Sequence, residues 1–334
     1  MIRTAFIFDD ATSRPAQRRV LLHMDAFERE GIDVYPMVLP AGLFSRRKMF
    51  KDLEGFDIAV LQRRLIQPWE FRTLRAKTRI LGYDFDDALI YGDSAARAFR
   101  SLSRTMKFRT ILRGVDFATA GNAYLRDLTG LPPEKVFVVP TAVDTKRYAP
   151  AAKAAGGPVR IGWVGSRSAL PCLEAAMGAI ERVAATRPTV ELAVVADAFP
   201  APRPFMKAIQ RKDSTEPADV ASFDIGVMPL PDNPWTRGKC GFRLLLYGAC
   251  GVASVASPVG ANRDILVDGE TGFFASNEDE WTARLTALVD DGSLRRRLGQ
   301  AARRRVEEAY SPDIVVRRWS EVLKSVFERL RGRA

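Results

Sequence analysis

The chain has 334 residues, 47% of them hydrophobic and 27% charged, with 51 Lys and Arg against 40 Asp and Glu for a net charge of +11. This balance excludes disordered, collagen-like and coiled-coil classes, and the length points to roughly two domains. No apolar run approaches the roughly 20 residues of a spanning helix and the start lacks the apolar core of a secretory leader, so a cytosolic protein is expected, at most peripheral to the inner face of a membrane. Cys172, Cys240 and Cys250 form no CxxC pair and the single histidine, His23, is remote from them, so neither a disulfide framework nor a zinc site is expected.

Along the chain, short β-rich runs alternate with stretches of helical period, the pattern of parallel sheets covered by helices. The first series opens with a strand at 4–8 ending in Asp9 and Asp10, a helix over 16–29 stopped by Gly31, and a strand over 32–39. A strand at 57–62, a helix from Pro68, a strand at 79–84, a helix over 94–113, a strand at 117–120, a short helix after Asn122 and a strand at 135–139 follow. An exposed-type connector rich in Ala, Gly and Pro over 149–158 places the domain boundary after residue 155. The second series has a strand at 159–164 running into Gly165 and Ser166, a helix at 170–186, and strands at 190–196 and 224–228. A helix at 238–250, strands at 253–257 and 272–275, and helices from 277 with breaks near Gly292 and Pro312 complete it. The last helix, over 312–330, brings Ile314, Val315, Trp319, Val322, Val326, Phe327 and Leu330 near one face, which must pack on something. No repeat of solenoid or propeller period is present. Two tandem units of this kind place a ligand in the crevice between them, at the carboxyl ends of strands.

The charge is uneven: residues 1–155 carry 26 basic and 18 acidic side chains, the remainder 25 and 22. Within the helix over 94–113, which contains no acid, Arg97, Arg100, Arg104 and Lys107 fall on one stripe and Phe99, Leu102 and Met106 on another. Such a helix is either a solvated face beside a core stripe or a site for anionic lipid headgroups or phosphates. A further cluster, Arg63, Arg64, Arg72, Arg75, Lys77 and Arg79, has only Glu70 against it. Nucleic acid is the least favoured anionic partner, because no helix-turn-helix, finger or RNA-binding aromatic motif accompanies the charge.

Two loops after strands carry the chemistry. Gly165, Ser166, Arg167 and Ser168 stand where a strand turns into a helix, and backbone N–H groups with nearby hydroxyls suit a phosphate, although the segment is neither a P-loop nor a GxGxxG fingerprint. Over 223–260 a strand ends in a Pro-rich loop and a helix begins near Gly238 with Lys239 and Arg243 in its first turns. Cations there oppose the helix dipole, so an anion such as a diphosphate would compensate them. Asp86 and Asp87 follow a strand and are either cleft contacts to acceptor or sugar, or loop caps. Gln62 and Arg63 end another strand, in position to meet an anionic acceptor, while His23 is read as a packing histidine and the arginine runs at 295–297 and 303–305 as a solvated helix face.

The stretch 223–260 resembles the C-terminal domain of glycosyltransferase family 4, retaining enzymes of the GT-B fold that move a sugar from a nucleotide-sugar to an acceptor. Further pieces occur in matching order: Phe56-Asp-Ile-Ala-Val-Leu-Gln-Arg63, Asp84-Phe-Asp-Asp-Ala88, Ala120-Gly-Asn-Ala-Tyr-Leu125, Val138-Val-Pro-Thr-Ala-Val-Asp144, and the segments 262–273 and 294–303. The resemblance implies two Rossmann-like, doubly wound parallel-sheet domains facing a cleft. Residues 1–155 would form the acceptor side and 156–311 the donor-binding domain, with 312–334 crossing back to the first. It implies a nucleotide-diphosphate sugar as donor substrate, with no cofactor and no metal required, because cationic side chains neutralise the departing diphosphate. The residues expected to act are Asp86, Asp87, Lys239 and Arg243 in catalysis; Gly165, Ser166, Arg167, Ser168, Arg237, Gly241 and Phe242 on the donor; and Gln62, Arg63 and Asn122 on the acceptor. A lipid-linked or cell-surface polysaccharide acceptor is expected, with an anionic membrane met through Arg97, Arg100, Arg104 and Lys107. The family commonly carries two glutamates eight positions apart, and here those positions hold Gly238 and Leu246. Of the family's basic pair after the phosphate loop only Arg167 is present. These departures keep open a second reading, a catalytically silent GT-B-like protein that binds a nucleotide-sugar or glycan.

Overall fold

The computed structural model describes residues 1–92, 100–152 and 156–332. The last five residues of Ile2–Phe8 are all buried, as a strand covered on both faces requires, and this run forms β1. It pairs in parallel with β2 (Ile32–Val38) and β3 (Ile58–Gln62). With β4 (Ile80–Phe85), β5 (Phe117–Ala120) and β6 (Val136–Val138) it makes a six-stranded sheet of order β2-β1-β3-β4-β5-β6. The helices of this half are α1 (Arg14–Arg19), α2 (Met24–Arg29), α3 (Leu43–Asp52), α4 (Pro68–Arg75), α5 (Leu102–Gly114) and α6 (Ala123–Thr129). Right-handed crossovers running from β2 towards β6 put α3 to α6 on one face, around Phe50, Phe71, Phe108 and Leu125, and leave α1 and α2 on the other.

The second sheet has order β12-β11-β10-β7-β8-β9, from β7 (Val159–Val164), β8 (Val190–Ala196), β9 (Met206–Gln210), β10 (Ile225–Met228), β11 (Ala253–Ala256) and β12 (Gly272–Phe274). Its helices are α7 (Leu170–Glu174), α8 (Met177–Thr186), α9 (Glu216–Ala221), α10 (Pro234–Arg237), α11 (Phe242–Ala249), α12 (Asn262–Ile265), α13 (Glu278–Asp290) and α14 (Gly292–Tyr310). The last helix, α15 (Pro312–Leu330), crosses back to the first sheet: Trp319 meets Phe6 edge-on at 5.6 Å, and Val315, Val322 and Val326 join the α1–α2 core. That is where the apolar face of this helix packs.

A buried ion pair fastens the same region. Arg19 grips both oxygens of Asp84 at 2.6 and 2.8 Å, and Thr119 and Gln62 donate to the same carboxylate at 2.8 and 3.1 Å. Breaking one partner of such a pair costs about 3–5 kcal/mol, so α1, β3, β4 and β5 are tied by one network.

Several sequence expectations are revised. The helix expected over 16–29 is two helices joined by a tighter turn at Leu21–His23, and 170–186 is likewise split into α7 and α8. The basic helix begins at Leu102, where the Ser101 side chain accepts from the Arg104 N–H, and its core face is Thr105, Phe108, Ile111 and Leu112. Phe108 packs 5.2 Å from Phe85 and 6.1 Å from Tyr83, which fixes the rotation of the helix. Leu102 and Met106, which one of the two readings put on a core stripe, are therefore 86% and 54% exposed. Arg100 and Arg104 do not form a free cationic stripe either: Arg100 donates to Thr105 at 3.2 Å and Arg104 to the Tyr91 carbonyl at 3.0 Å. Arg97, Phe99 and the boundary at residue 155 lie outside the described residues. The sequence pattern also misses α3 and β9.

Candidate functional site

Loops at the carboxyl ends of both sheets line one cleft of about 250 Å³. From the second domain, Gly165 leads β7 into it: a Cβ at this position would come within 2.1 Å of the Trp163 ring, so only glycine lets the turn lie over that indole. Ser166 and Ser168 follow, their hydroxyls 3.1 Å apart and both on the cleft wall. Gly241 starts α11 with φ +62°, a left-handed conformation, and a Cβ there would strike Ile265 at 2.4 Å. This turn delivers Phe242 and Arg243 to the cleft.

Arg243 places its guanidinium 4.7 Å from the centre of the Trp163 ring, and among the described residues no carboxylate pairs with it. Burial lowers its pKa, the response of a cation that has lost water without gaining an anion. Lys239 is held differently. Its ammonium lies 3.8 Å over the Trp235 ring and 3.1 and 3.2 Å from the two oxygens of Asp87, across the cleft on the first domain. Arg63 bonds Asp86 and approaches Asp87 at 3.7 Å. Burial pushes the Asp86 carboxyl up, but Arg63, Arg19 and Lys239 outweigh it and hold the pKa below the usual carboxylate range. Arg63 does this from φ +58°, a strained backbone that costs about 1–3 kcal/mol in a non-glycine residue. Its N–H donates to the Asp84 carbonyl at 2.8 Å and its carbonyl accepts from Tyr83 at 3.1 Å, which hold the conformation.

Three cationic residues on the cleft wall escaped the sequence reading: Arg14, Arg18 and Arg211. Arg18 lies 3.9 Å over the Phe242 ring, and burial brings it down to about 10 despite Glu216 at 3.4 Å. Arg211, which also bonds Glu216, follows β9. The Arg18-Arg19 pair after the first strand was the available signal for one of them; Arg211 had none, because its strand was missed.

The expected site residues sort into three groups. Asp86, Asp87, Lys239, Arg243, Gly165, Ser166, Ser168, Gly241, Phe242 and Arg63 all border the cleft. Arg167 and Arg237 do not: Arg167 is exposed with its N–H on Asp197, and Arg237 turns outward onto Asp232 at 2.6 Å. Each is better solvated, or better paired, outside the cleft. Gln62 is buried on Asp84, and Asn122 caps α6 through the Leu125 N–H while its amide donates to the Arg237 and Lys239 carbonyls at 3.3 and 3.1 Å. Asn122 is thus part of a seam between the domains. Gly238 lies on the same seam, where a Cβ would meet the Ala88 Cβ at 2.6 Å and its N at 2.9 Å. Cys240 donates to the Asp86 carbonyl at 3.2 Å, and burial raises its thiol pKa, so it is no thiolate nucleophile. Leu246 and Met228 supply apolar wall. The cleft can therefore accept a phosphate-bearing ligand on Arg243, with two carboxylates of the first domain facing it.

Residues 214–321 match a family model described as Glycosyl transferase-like. The whole chain has the GT-B fold, superposing on sucrose-phosphate synthase of Thermosynechococcus elongatus with a TM-score of 0.74 at 16% identity, over 98% of this chain and 100% of that one. HepE of Anabaena, solved in complex with UDP and glucose, matches with a TM-score of 0.71 at 14% identity, over 97% and 100% of the two chains. A glycosyltransferase from Rickettsia africae matches with a TM-score of 0.74 at 11% identity, over 98% and 99%. No curated protein matches the chain in sequence.

Proposed function

We propose that this chain is a glycosyltransferase that binds a nucleotide-diphosphate sugar in the cleft and passes the sugar to an acceptor hydroxyl held on the first domain. The observation that carries the reading is Arg243: a cation with no carboxylate partner among the described residues, at the start of α11, in the cleft of a GT-B fold. A diphosphate there would receive charge-assisted bonds from Arg243 and the hydroxyls of Ser166 and Ser168, and would draw Lys239 away from Asp87. As the glycosidic bond breaks, negative charge grows on the diphosphate, and these fixed cations stabilise it without a metal being needed. Asp86 and Asp87, the carboxylates bordering the cleft, are the groups to accept hydrogen bonds from sugar or acceptor hydroxyls. The UDP and glucose bound by HepE support a UDP-linked hexose as donor, and the family 4 resemblance supports retention at the anomeric carbon.

A membrane-linked acceptor fits the outer surface of α5. Leu102 and Met106 are exposed there, and at 100° per residue Arg109 and Arg113 share their side of the helix. A second reading, a binding protein without turnover, draws on the absence of a side-chain acceptor at Leu246 in the cleft wall and at Gly238 on the seam beside it. Thermal shift against UDP-, GDP-, ADP- and TDP-linked sugars separates the cases. Stabilisation by one of them, followed by nucleotide release with an acceptor extract, supports the enzyme; stabilisation without release by any acceptor supports the binding protein; no response to any donor refutes both.

A further inference from the structure

The floor of the cleft on the second domain is apolar. Val164 at the end of β7, Met228 at the end of β10, Leu230 just after it, Cys172 on α7 and Leu246 on α11 all border the cleft. They belong to one continuous hydrophobic core, and each is at most 5% exposed. Tyr247, next to Leu246 in sequence, spends its hydroxyl inside that core: it accepts from the Val164 N–H at 3.3 Å and donates to the Val227 carbonyl at 3.2 Å. The side-chain oxygens that border the cleft among the described residues lie elsewhere, on Ser166 and Ser168 of the phosphate turn and on Thr141, Asp86 and Asp87. Thr141 accepts from Arg19 at 3.4 Å, and the two aspartates are engaged by Arg63 and Lys239.

This floor adjoins the groups that would hold a diphosphate. Gly165 follows Val164 directly, Cys172 comes four residues after Ser168, and Leu246 lies one turn beyond Arg243 along α11. A sugar ring esterified to a diphosphate seated on Arg243, Ser166 and Ser168 therefore has to lie against it. A ring hydroxyl turned towards Leu246 and Met228 loses its water and finds no side-chain acceptor, whereas a hydrogen or a methyl group in its place loses nothing and keeps its packing.

We infer that the donor presents a CH2 or CH3 group to this floor where an ordinary nucleotide-sugar carries a hydroxyl, and that Leu246 sets this preference. The inference rests on the glycosyltransferase reading and narrows its donor to a deoxy class. That chemistry has two sources, the 2′-deoxyribose of a deoxynucleotide and the methyl group of a 6-deoxy sugar, and they are separable.

The test is calorimetric titration of the full chain with matched pairs that differ by one oxygen, on the base that thermal shift selects. With uracil they are UDP against 2′-deoxy-UDP, and UDP-glucose against UDP-6-deoxyglucose. In at least one pair the deoxy partner should bind about tenfold more tightly, and the pair that shows it names the source. Leu246→Gln, which puts an amide oxygen on the floor, should bring that pair towards parity, while Leu246→Met, apolar and of similar volume, should keep the ratio. The ratios of the parent chain decide the matter even where the glutamine variant folds poorly. Equal or tighter binding of the hydroxylated partner in both pairs would overturn the inference, as would a ratio that a folded Leu246→Gln leaves unchanged. Either result strikes the deoxy donor alone, whereas failure to bind any nucleotide or nucleotide-sugar refutes the reading beneath it.

Discussion

Replacing Asp87 by Asn should tighten nucleotide binding, although it removes a polar contact from the cleft. In the unliganded chain Lys239 sits 3.1 Å from Asp87, and the side chains are 27% and 20% exposed, so the pair is partly screened. At an effective dielectric of about 20 the bare attraction of two charges this close is about 5 kcal/mol, but desolvation and side-chain ordering reduce the net worth of such a pair to about 1 kcal/mol. A diphosphate has to break that pair to recruit Lys239, and it meets the Asp87 charge as it arrives. Removing the carboxylate should therefore strengthen UDP affinity by about 1–2 kcal/mol, or roughly 5- to 30-fold. Titration calorimetry at low and at moderate salt measures this, and the gain should shrink as salt screens the pair. If Asp87→Asn leaves UDP affinity unchanged or weakens it, Lys239 does not exchange partners and the phosphate site is misplaced.

Arg243→Met should lower UDP affinity by about 1.5–3 kcal/mol, the worth of hydrogen bonds from a charged donor, while the melting temperature of the free protein changes little, since no carboxylate is left unpaired; calorimetry and thermal melts check both halves. Arg19→Met should cost about 3–5 kcal/mol in urea unfolding, because it strands Asp84 in the core, and Arg19→Met combined with Asp84→Leu should recover much of that loss. Burial holds His23 below its ordinary imidazole pKa, so protonation favours the unfolded chain. Its contribution is full above about pH 6.5, the unfolded value, and declines as the pH falls through the lower folded value; urea midpoints at about pH 7.5 and 5.5 should differ in the parent and converge in His23→Gln.

Much of the architecture was legible because buried parallel strands are written as near-continuous apolar runs, and β1, β4, β7 and β8 are of that kind. What escaped lacks that pattern. The edge strand β9, Met-Lys-Ala-Ile-Gln, has no buried residue, and α3 keeps its buried residues, Met49 and Phe50, at its far end while Leu43 and Phe44 face solvent. For α5 the spacing left open whether Leu102 and Met106 form a core stripe, and only the packing of Phe108 on Tyr83 and Phe85 shows that the core lies elsewhere. At the cleft, glycines and cations in loops after strands were visible from spacing alone. The direction of each side chain was not: Arg237 and Arg243 lie six positions apart, and one faces Asp232 outside while the other faces the cleft.

The seam formed by Asn122, Gly238, Ala88, Cys240 and the Lys239–Asp87 pair ties the two domains together beside the cleft. A diphosphate that draws Lys239 from Asp87 breaks one of these ties, so filling the cleft and loosening the seam are coupled. The cost of breaking that tie comes off the measured affinity, so a substitution that loosens the seam without touching the ligand should improve binding.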